Sequence, residues 1–151
     1  MCFKLTKLEV SDHLFIISKI PDPSNILSYR DQLINHKIQH LVRVCDCEYD
    51  KDIMLSCGVN VTDIPIKDGN VPTKNDIDKW MKIVNENKRI AIHCVSGLGR
   101  APMLVAIAMI RMAKINSIDA ITILREQIKG CLNTRQITYV FKLDSDRCCI
   151  M

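Results

Sequence analysis

The sequence predicts an α/β fold with a short, mostly parallel central sheet and helices on both of its faces. Two apolar runs, His40–Cys45 and Ile90–Ile92, have the length and composition of buried strands. Segments with the helical spacing of apolar residues separate the runs, and Ala101–Met112 is apolar nearly all round. Strands that alternate with helices are typical of a parallel sheet, and 151 residues suit a single domain.

Five segments rich in apolar and β-branched residues are predicted as strands. In chain order they are Leu8–Val10, His13–Ser18, His40–Cys45, Val59–Ile64 and Ile90–Ile92. The first two flank Ser11-Asp12, a pair typical of a tight turn, so we expect them to form a hairpin. Functional sites of α/β proteins form at the carboxyl ends of parallel strands, so the residues after the later strands are the first candidates for function.

Six segments are predicted as helices from apolar periodicity and from capping residues at their starts. In chain order they cover residues 24–36, 52–57, 73–87, 101–112, 117–129 and 133–143. The third begins with Thr73 and Asp76 in capping-box spacing, and Trp80 within it is expected in the core. Ser117 is the expected cap of the fifth helix, which Gly130 ends.

Composition excludes several classes of protein. Charged residues make up 25% of the chain and the formal net charge is +4, which is too little to argue for nucleic-acid binding. Eight cysteines would fit a secreted disulfide scaffold, but no signal-peptide pattern is found at the start of the sequence. We therefore expect a cytoplasmic protein with reduced thiols. No apolar run has the length of a membrane span.

The loop between the fifth strand and the fourth helix carries the predicted chemistry. Its glycines permit the close backbone approach that an anion cradle needs, and the helix N-terminus favours a bound phosphate. The predicted phosphate-binding residues are Val95, Ser96, Gly97, Leu98, Gly99 and Arg100. Cys94 lies at the lip of this cradle, where a thiolate is stabilised, and is the expected nucleophile. His93 is expected to support the loop through hydrogen bonds and to help hold the thiolate form.

Arginine completes this pattern. His93-Cys94 is followed by five residues and then Arg100, whose forked guanidinium suits two oxygens of a phosphate. The alternative is a buried structural cysteine in a tight turn. The pattern fixes four positions, His93, Cys94, Gly97 and Arg100, between a predicted strand and a predicted helix. This combination favours phosphoryl transfer to the thiolate over a structural role.

Two further candidates follow strands expected to end at the same edge. Asp68 precedes a glycine in the loop 65–72 and suits an acid that protonates a leaving oxygen. An aspartate before glycine is also common in turns for structural reasons, so the residues leave both interpretations open. Cys45 ends the third strand and is a candidate neighbour of Cys94.

The sequence predicts no role for Cys47, Cys57 or Cys131. Cys45 and Cys47 form only a C-x-C pair without the second pair of a zinc site, so we expect no metal. Neither Cys57 nor Cys131 belongs to a recognisable pattern. No cofactor is expected either.

The string His-Cys-Val-Ser-Gly-Leu-Gly-Arg-Ala-Pro at 93–102 resembles the signature of the cysteine-dependent protein tyrosine phosphatases. It is most similar to the PRL family (phosphatases of regenerating liver), which the segments Leu41–Asp46 and Pro65–Gly69 also resemble. The resemblance implies a fold of the dual-specificity phosphatase type. It also implies that Asp68 is the general acid and that Cys45 forms a reversible disulfide with Cys94.

Ala101 stands where most relatives carry a serine or threonine whose hydroxyl helps to release the phosphoenzyme. As in PRL proteins, the alanine implies slow turnover and a long-lived phosphocysteine. The expected function is therefore PRL-like hydrolysis of phosphotyrosine or other phosphomonoesters. The alternatives are a pocket-based binding module with little catalysis and a phosphoinositide phosphatase.

The family resemblance also implies a partner, since PRL proteins bind CNNM-type magnesium transporters. Two departures argue against assuming that partner here. Lys67 replaces the first acid of the family's Trp-Pro-Phe-Asp-Asp-Gly segment, which here is Ile64–Gly69. Ile128-Lys129 replaces a pair of arginines.

The C-terminal residues form a predicted prenylation box. Cys148-Cys149-Ile150-Met151 matches the Cys-a-a-X pattern, and terminal methionine favours a farnesyl group on Cys148. We therefore divide the chain into a phosphatase domain, 1–143, and a tail, 144–151. One lipid binds weakly and the tail lacks a basic cluster, so reversible, peripheral attachment of a cytoplasmic protein to membranes is expected.

Overall fold

The computed structural model describes the chain from residue 3 to residue 150, and the side chains of residues 3–145. Five strands form one sheet: β1 (Thr6–Val10), β2 (His13–Ser18), β3 (His40–Arg43), β4 (Asn60–Asp63) and β5 (Arg89–His93). Their order across the sheet is β1-β2-β5-β3-β4. Only β1 and β2 are antiparallel, as a hairpin around Ser11 and Asp12, and the other pairs are parallel. The predicted mostly parallel sheet is therefore confirmed.

Six helices cover the two faces of the sheet. They are α1 (Ile26–Asn35), α2 (Asp52–Leu55), α3 (Lys74–Glu86), α4 (Arg100–Met112), α5 (Ser117–Gln127) and α6 (Thr134–Ile150). Alternate residues of β2 point to opposite faces, as the period of a strand requires. Phe15 and Ile17 pack in the core with α3 to α6, whereas Leu14 and Ile16 pack with α1 and α2. Among the described residues, no helix combines the length and apolar character of a membrane span.

Helix α4 is the centre of the larger core. Every residue from Arg100 to Ile110 is buried, which explains why the helix is apolar on all sides. Trp80 of α3 is fully buried against it and donates an indole hydrogen bond of 2.7 Å to the Leu104 carbonyl. The expectation that Trp80 belongs to the core is confirmed. Because α4 is held on several sides, its N-terminus is a rigid support for the preceding loop.

Most element boundaries agree with the sequence, and the exceptions have local causes. The Thr73–Asp76 capping box forms at α3 with both of its hydrogen bonds. The cap of α5 is Asn116 and not Ser117, because the Asn116 side chain accepts from the Asp119 amide at 2.8 Å. Helix α6 continues beyond residue 143, since no glycine or proline follows to end it. Cys148 lies outside the residues whose side chains are described.

Candidate active site

The predicted phosphate loop lies between the end of β5 at His93 and the start of α4 at Arg100. Cys94 is the first loop residue and is 1% exposed. The Gly97 amide donates to the Cys94 sulfur at 3.3 Å, so the loop curls back over the thiol. The sulfur therefore accepts a backbone hydrogen bond within the loop that leads into the N-terminus of α4.

Gly97 lets this loop lie against strand β2. Its φ is +78°, and a Cβ there would lie 2.9 Å from the backbone nitrogen of Lys19. The Ile20 amide also donates to the Val95 carbonyl at 3.1 Å, which joins the loop to the chain after β2. The side chains of Val95 and Leu98 are 52% and 44% exposed, so they form the outer surface of the loop.

Gly99 leaves room for Gln136 of α6. A Cβ at Gly99 would lie 2.9 Å from the side-chain nitrogen of Gln136, which is 1% exposed. The side-chain oxygen of Gln136, Oε1, accepts from the backbone amide of Asn133 at 2.9 Å, and this capping contact holds the Gln136 side chain in place. The Leu132 amide donates to the Leu98 carbonyl at 2.6 Å, close to the same point. The start of α6 therefore supports the phosphate loop from behind.

Arg100 joins the phosphate loop to the loop that carries Asp68. The guanidinium is buried, and one of its nitrogens donates to the Ile66 carbonyl at 2.7 Å. A second nitrogen lies 3.8 Å from the Asp68 carboxylate, which is 96% exposed. Both residues line a cleft of about 420 Å³, together with Lys67 and Asp46. The fold thus brings the predicted acid and the predicted phosphate clamp to the same cleft.

The Asp68 loop is held at both ends. On the β3 side, the Ile66 amide donates to the Val44 carbonyl at 3.2 Å. On the α6 side, Arg135 donates to the Asn70 side chain at 2.6 Å. Asp68 lies between these two contacts and points its carboxylate into solvent at the cleft. An exposed carboxylate on an anchored loop can reach a bound substrate without moving the sheet.

His93 is oriented by Tyr49. The imidazole is fully buried, and its Nε2 atom is 2.6 Å from the Tyr49 hydroxyl. Burial raises the pKa of Tyr49, so its hydroxyl remains neutral. The hydrogen bond described for the His93 side chain is the one with Tyr49. That His93 supports the phosphate loop and helps to hold the thiolate form stays a prediction.

Arg43 and Asp63 fix the position of Tyr49. Two nitrogens of Arg43 donate to the Asp63 carboxylate at 2.6 and 3.0 Å, and a third donates to the Tyr49 carbonyl at 2.8 Å. The guanidinium also lies 4.8 Å from the centre of the Tyr49 ring. The hydrogen bond from Arg43 lowers the pKa of Asp63 to about 2, so the carboxylate is charged at neutral pH.

Cys45 lies at the same edge, as its position after β3 predicted. The Val44 amide donates to the His93 carbonyl at 2.9 Å, so Cys45 and Cys94 follow neighbouring strands at their carboxyl ends. Both thiols are buried and free. The disulfide between them stays a prediction.

The contact between the Cys47 and Cys45 side chains was not predicted from the sequence. Its sulfur is 3.5 Å from that of Cys45, and it also lies 3.3 Å from the Cys45 carbonyl. The hydrogen bond with Cys45, and the positive charge of Arg43, lower the pKa of Cys47, whereas the same hydrogen bond and burial raise that of Cys45. A C-x-C spacing was the only available signal. Cys57 is exposed and Cys131 is buried, and both are free.

Comparison with known proteins identifies relatives of this chain. The family model described as "Polymorphic toxin system, DSP-PTPase phosphatase" matches residues 20–114. The chain is 38% identical to "Probable protein tyrosine phosphatase type IVA A" of Dictyostelium discoideum, over 88% of this chain and 83% of that protein. It is 36% identical to "Protein tyrosine phosphatase PRL-1" of Leishmania major, over 85% of this chain and 80% of that protein.

A solved structure extends the similarity to three dimensions. The putative protein tyrosine phosphatase from Leishmania major superposes with a TM-score of 0.85 at 33% identity. The superposition covers 92% of this chain and 98% of the other. Fold, loop and relatives together show that this chain belongs to the PRL family of type IVA phosphatases and is a cysteine-dependent protein tyrosine phosphatase.

Proposed function

We propose that the chain dephosphorylates phosphotyrosine in proteins through a phosphocysteine on Cys94, with Arg100 as phosphate clamp and Asp68 as acid and then base. The observation that carries this proposal is the approach of the Arg100 guanidinium to the Asp68 carboxylate, 3.8 Å, beside a thiol capped by the Gly97 amide. Nucleophile and clamp lie at the two ends of the phosphate loop, and the acid comes from the loop 65–72. The approach of this acid to the clamp is an arrangement that an in-line phosphoryl transfer needs.

The first step transfers the phosphoryl group to sulfur. The Cys94 thiolate attacks phosphorus, the S–P bond forms and the bond to the tyrosine oxygen breaks. Protonated Asp68 gives its proton to the leaving oxygen. The amides of residues 95–99 and the guanidinium of Arg100 stabilise the charge on the three equatorial oxygens.

The second step returns the thiolate. Asp68, now a carboxylate, takes a proton from water, the water oxygen attacks phosphorus, and the S–P bond breaks to release phosphate. Ala101 is fully buried in the first turn of α4 and has no hydroxyl to stabilise the leaving sulfur. The phosphocysteine is therefore expected to accumulate, which gives a burst followed by slow turnover.

A groove beside the loop favours peptide substrates over phosphoinositides. It measures about 670 Å³ and adjoins Val95 of the phosphate loop. Four exposed acidic residues line it: Asp22, Asp46, Glu48 and Asp50. These carboxylates repel an anionic lipid surface and attract a basic side chain next to phosphotyrosine. Substrates with lysine or arginine beside the phosphotyrosine are therefore expected to react faster than those with glutamate, with a difference that falls as salt rises.

The catalytic roles are tested with rapid-quench kinetics on aryl phosphates and with mass detection of phosphocysteine. The wild type should show a burst that Cys94→Ser lacks. Asp68→Asn should slow the burst about 10²–10⁴-fold for poor leaving groups and much less for good ones. Asp46→Asn is the matched control, because Asp46 lines the same cleft. Equal effects of the two aspartate variants would remove Asp68 from the mechanism.

Binding of a CNNM-type transporter is the competing hypothesis. Lys67 is exposed at the cleft, while Ile128 is only 9% exposed and packs in the core. Position 128 therefore cannot present a cation to an acidic partner loop. Tight binding of a CNNM cytosolic domain by a protein that gives no burst would replace the catalytic proposal with the binding module.

We further propose that a farnesyl group on Cys148 holds the protein reversibly at membranes. The proposal rests on the Cys-a-a-X pattern at 148–151 and on the PRL-like body of the chain. A single lipid binds weakly, so a large cytosolic fraction is expected to remain. Fractionation of wild type and Cys148→Ser tests it, and equal cytosolic fractions would contradict it.

A further inference from the structure

Three side chains with metal-binding atoms meet at the carboxyl ends of β3 and β5. They are Cys45, Cys47 and His93, and their ligand atoms all lie within 4.8 Å of one another. Cys45 and His93 are buried and Cys47 is half-buried, so the cluster is open to solvent on the Cys47 side. The sequence displays only the C-x-C pair. The third ligand comes from the pairing of β3 with β5, which places residues 43 and 93 side by side.

The histidine in this cluster has the arrangement of a metal ligand. Its Nε2 atom is 2.6 Å from the Tyr49 hydroxyl, whereas its Nδ1 atom is buried without a hydrogen-bond partner. A buried polar nitrogen without a well-formed hydrogen bond is unfavourable, and a metal ion held between it and the two sulfurs would satisfy it. Metal-bound histidines usually donate their second N–H to a fixed oxygen. Tyr49, itself held by Arg43, supplies that oxygen.

We propose that Cys45, Cys47 and His93 form a three-ligand site for a soft metal ion, of which Zn²⁺ fits best. Two thiolates and one imidazole are the donors that zinc prefers, and calcium or magnesium would need oxygen ligands. Binding releases the two thiol protons, and Nδ1 donates its lone pair to the metal while Nε2 keeps its proton and donates it to the Tyr49 hydroxyl oxygen. A fourth position remains for water.

The dimensions of the cluster match this ion. Zinc–sulfur bonds of about 2.3 Å at tetrahedral angles place two sulfurs about 3.8 Å apart. The sulfurs of Cys45 and Cys47 are 3.5 Å apart. The same geometry places the imidazole nitrogen about 3.6 Å from each sulfur, so from the upper limit of 4.8 Å it must approach a sulfur by about 1.2 Å at most. Rotation of the partly exposed Cys47 side chain can adjust the distances from its sulfur to the other two ligand atoms.

Metal in this site would act on the enzyme through its neighbours. His93 directly precedes Cys94, and Cys45 is the predicted disulfide partner of Cys94. A bound ion would occupy the Cys45 sulfur and fix the His93 ring. We therefore expect zinc to block formation of the Cys45–Cys94 disulfide and to lower phosphatase activity by acting outside the phosphate cradle.

The experiment measures binding of Zn²⁺, and of Co²⁺ as a coloured probe, to the reduced protein by equilibrium dialysis and absorption. One ion per chain is expected, with thiolate-to-cobalt charge-transfer absorption. Cys47→Ala should weaken binding about 100-fold or more. Cys57→Ser is the matched control, because Cys57 is a free, exposed cysteine outside the cluster. Thermal unfolding without metal checks that Cys47→Ala is folded.

A second variant separates this site from the catalytic thiol. Cys94→Ser should bind zinc as tightly as the wild type, and Cys47→Ala should keep its activity when zinc is added. Loss of binding in Cys94→Ser, or unchanged binding in Cys47→Ala, would overturn the proposal. Because binding is measured directly, these results hold whether or not the proposed catalytic roles are correct.

Discussion

Replacing Gly97 with alanine should damage both the phosphate loop and the stability of the protein. The new Cβ would lie 2.9 Å from the backbone nitrogen of Lys19 and from the carbonyl carbon of Ser18. Reaching an ordinary contact of 3.4 Å requires a shift of about 0.5 Å between the loop and the chain after β2. No rotamer change can supply that shift, because the contacted atoms belong to the backbone.

The expected magnitude follows from two contributions. The φ of +78° alone is unfavourable for alanine by about 1–2 kcal/mol. Displacing packed backbone adds a similar amount, so the free energy of unfolding should fall by about 2–4 kcal/mol. A loop displaced by a fraction of an ångström misplaces the amides that hold phosphate, and kcat/KM should fall about 100-fold.

Gly58→Ala is the matched control for the backbone angle. Gly58 has φ of +85°, and a Cβ there would meet no atom within 4 Å. This variant should lose only about 1–2 kcal/mol and keep its kcat/KM. Urea unfolding and hydrolysis of an aryl phosphate measure the two quantities. If Gly97→Ala loses no more stability and activity than Gly58→Ala, the argument from loop packing is wrong.

Three further predictions concern the support of the site. Asp63→Asn should destabilise the protein most above pH about 4, where the Asp63 carboxylate is charged in both states, and progressively less as pH falls toward its folded pKa of about 2. Urea unfolding over a pH series measures this, and a pH-independent difference would contradict the role of the Arg43 ion pair. Trp80→Phe should lower the free energy of unfolding by about 1–3 kcal/mol by removing the 2.7 Å hydrogen bond to Leu104, with kcat/KM unchanged. Ala101→Ser should raise the steady-state rate about tenfold without changing the burst, and quench-flow traces with equal slow phases would show that the missing hydroxyl does not limit turnover.

The elements that the sequence predicted correctly are those with local causes. The β1–β2 hairpin depends on the turn residues Ser11 and Asp12, and the start of α3 depends on the Thr73–Asp76 capping box. Both signals lie within a few residues of the structure that they produce. Ser117 is the predicted cap of α5 because serine is a common cap, but the Asn116 side chain is the one that accepts from the Asp119 amide.

Contacts between distant residues were not predictable in the same way. The Tyr49–His93 hydrogen bond joins residues 44 positions apart, and the support of Gly99 by Gln136 joins different helices. Such contacts depend on strand register and on how the helices pack, and the sequence pattern specifies neither. Gln136 accepts from the Asn133 amide at the start of α6, and that capping contact presents its side-chain amide to Gly99.

The sequence alone determined the spacing of Cys94 and Arg100 and the glycines between them, because a strand, a tight loop and a helix N-terminus are all properties of adjacent residues. Only the tertiary structure decided which side chains from other segments reach that loop. The pairing of β3 with β5 brings Cys45 and Cys47 to His93, and the bond from Arg100 to Ile66 brings Asp68 into the cleft. These contacts depend on the order and register of the strands in the sheet. Order and register are determined by burial of the whole core and not by any single motif.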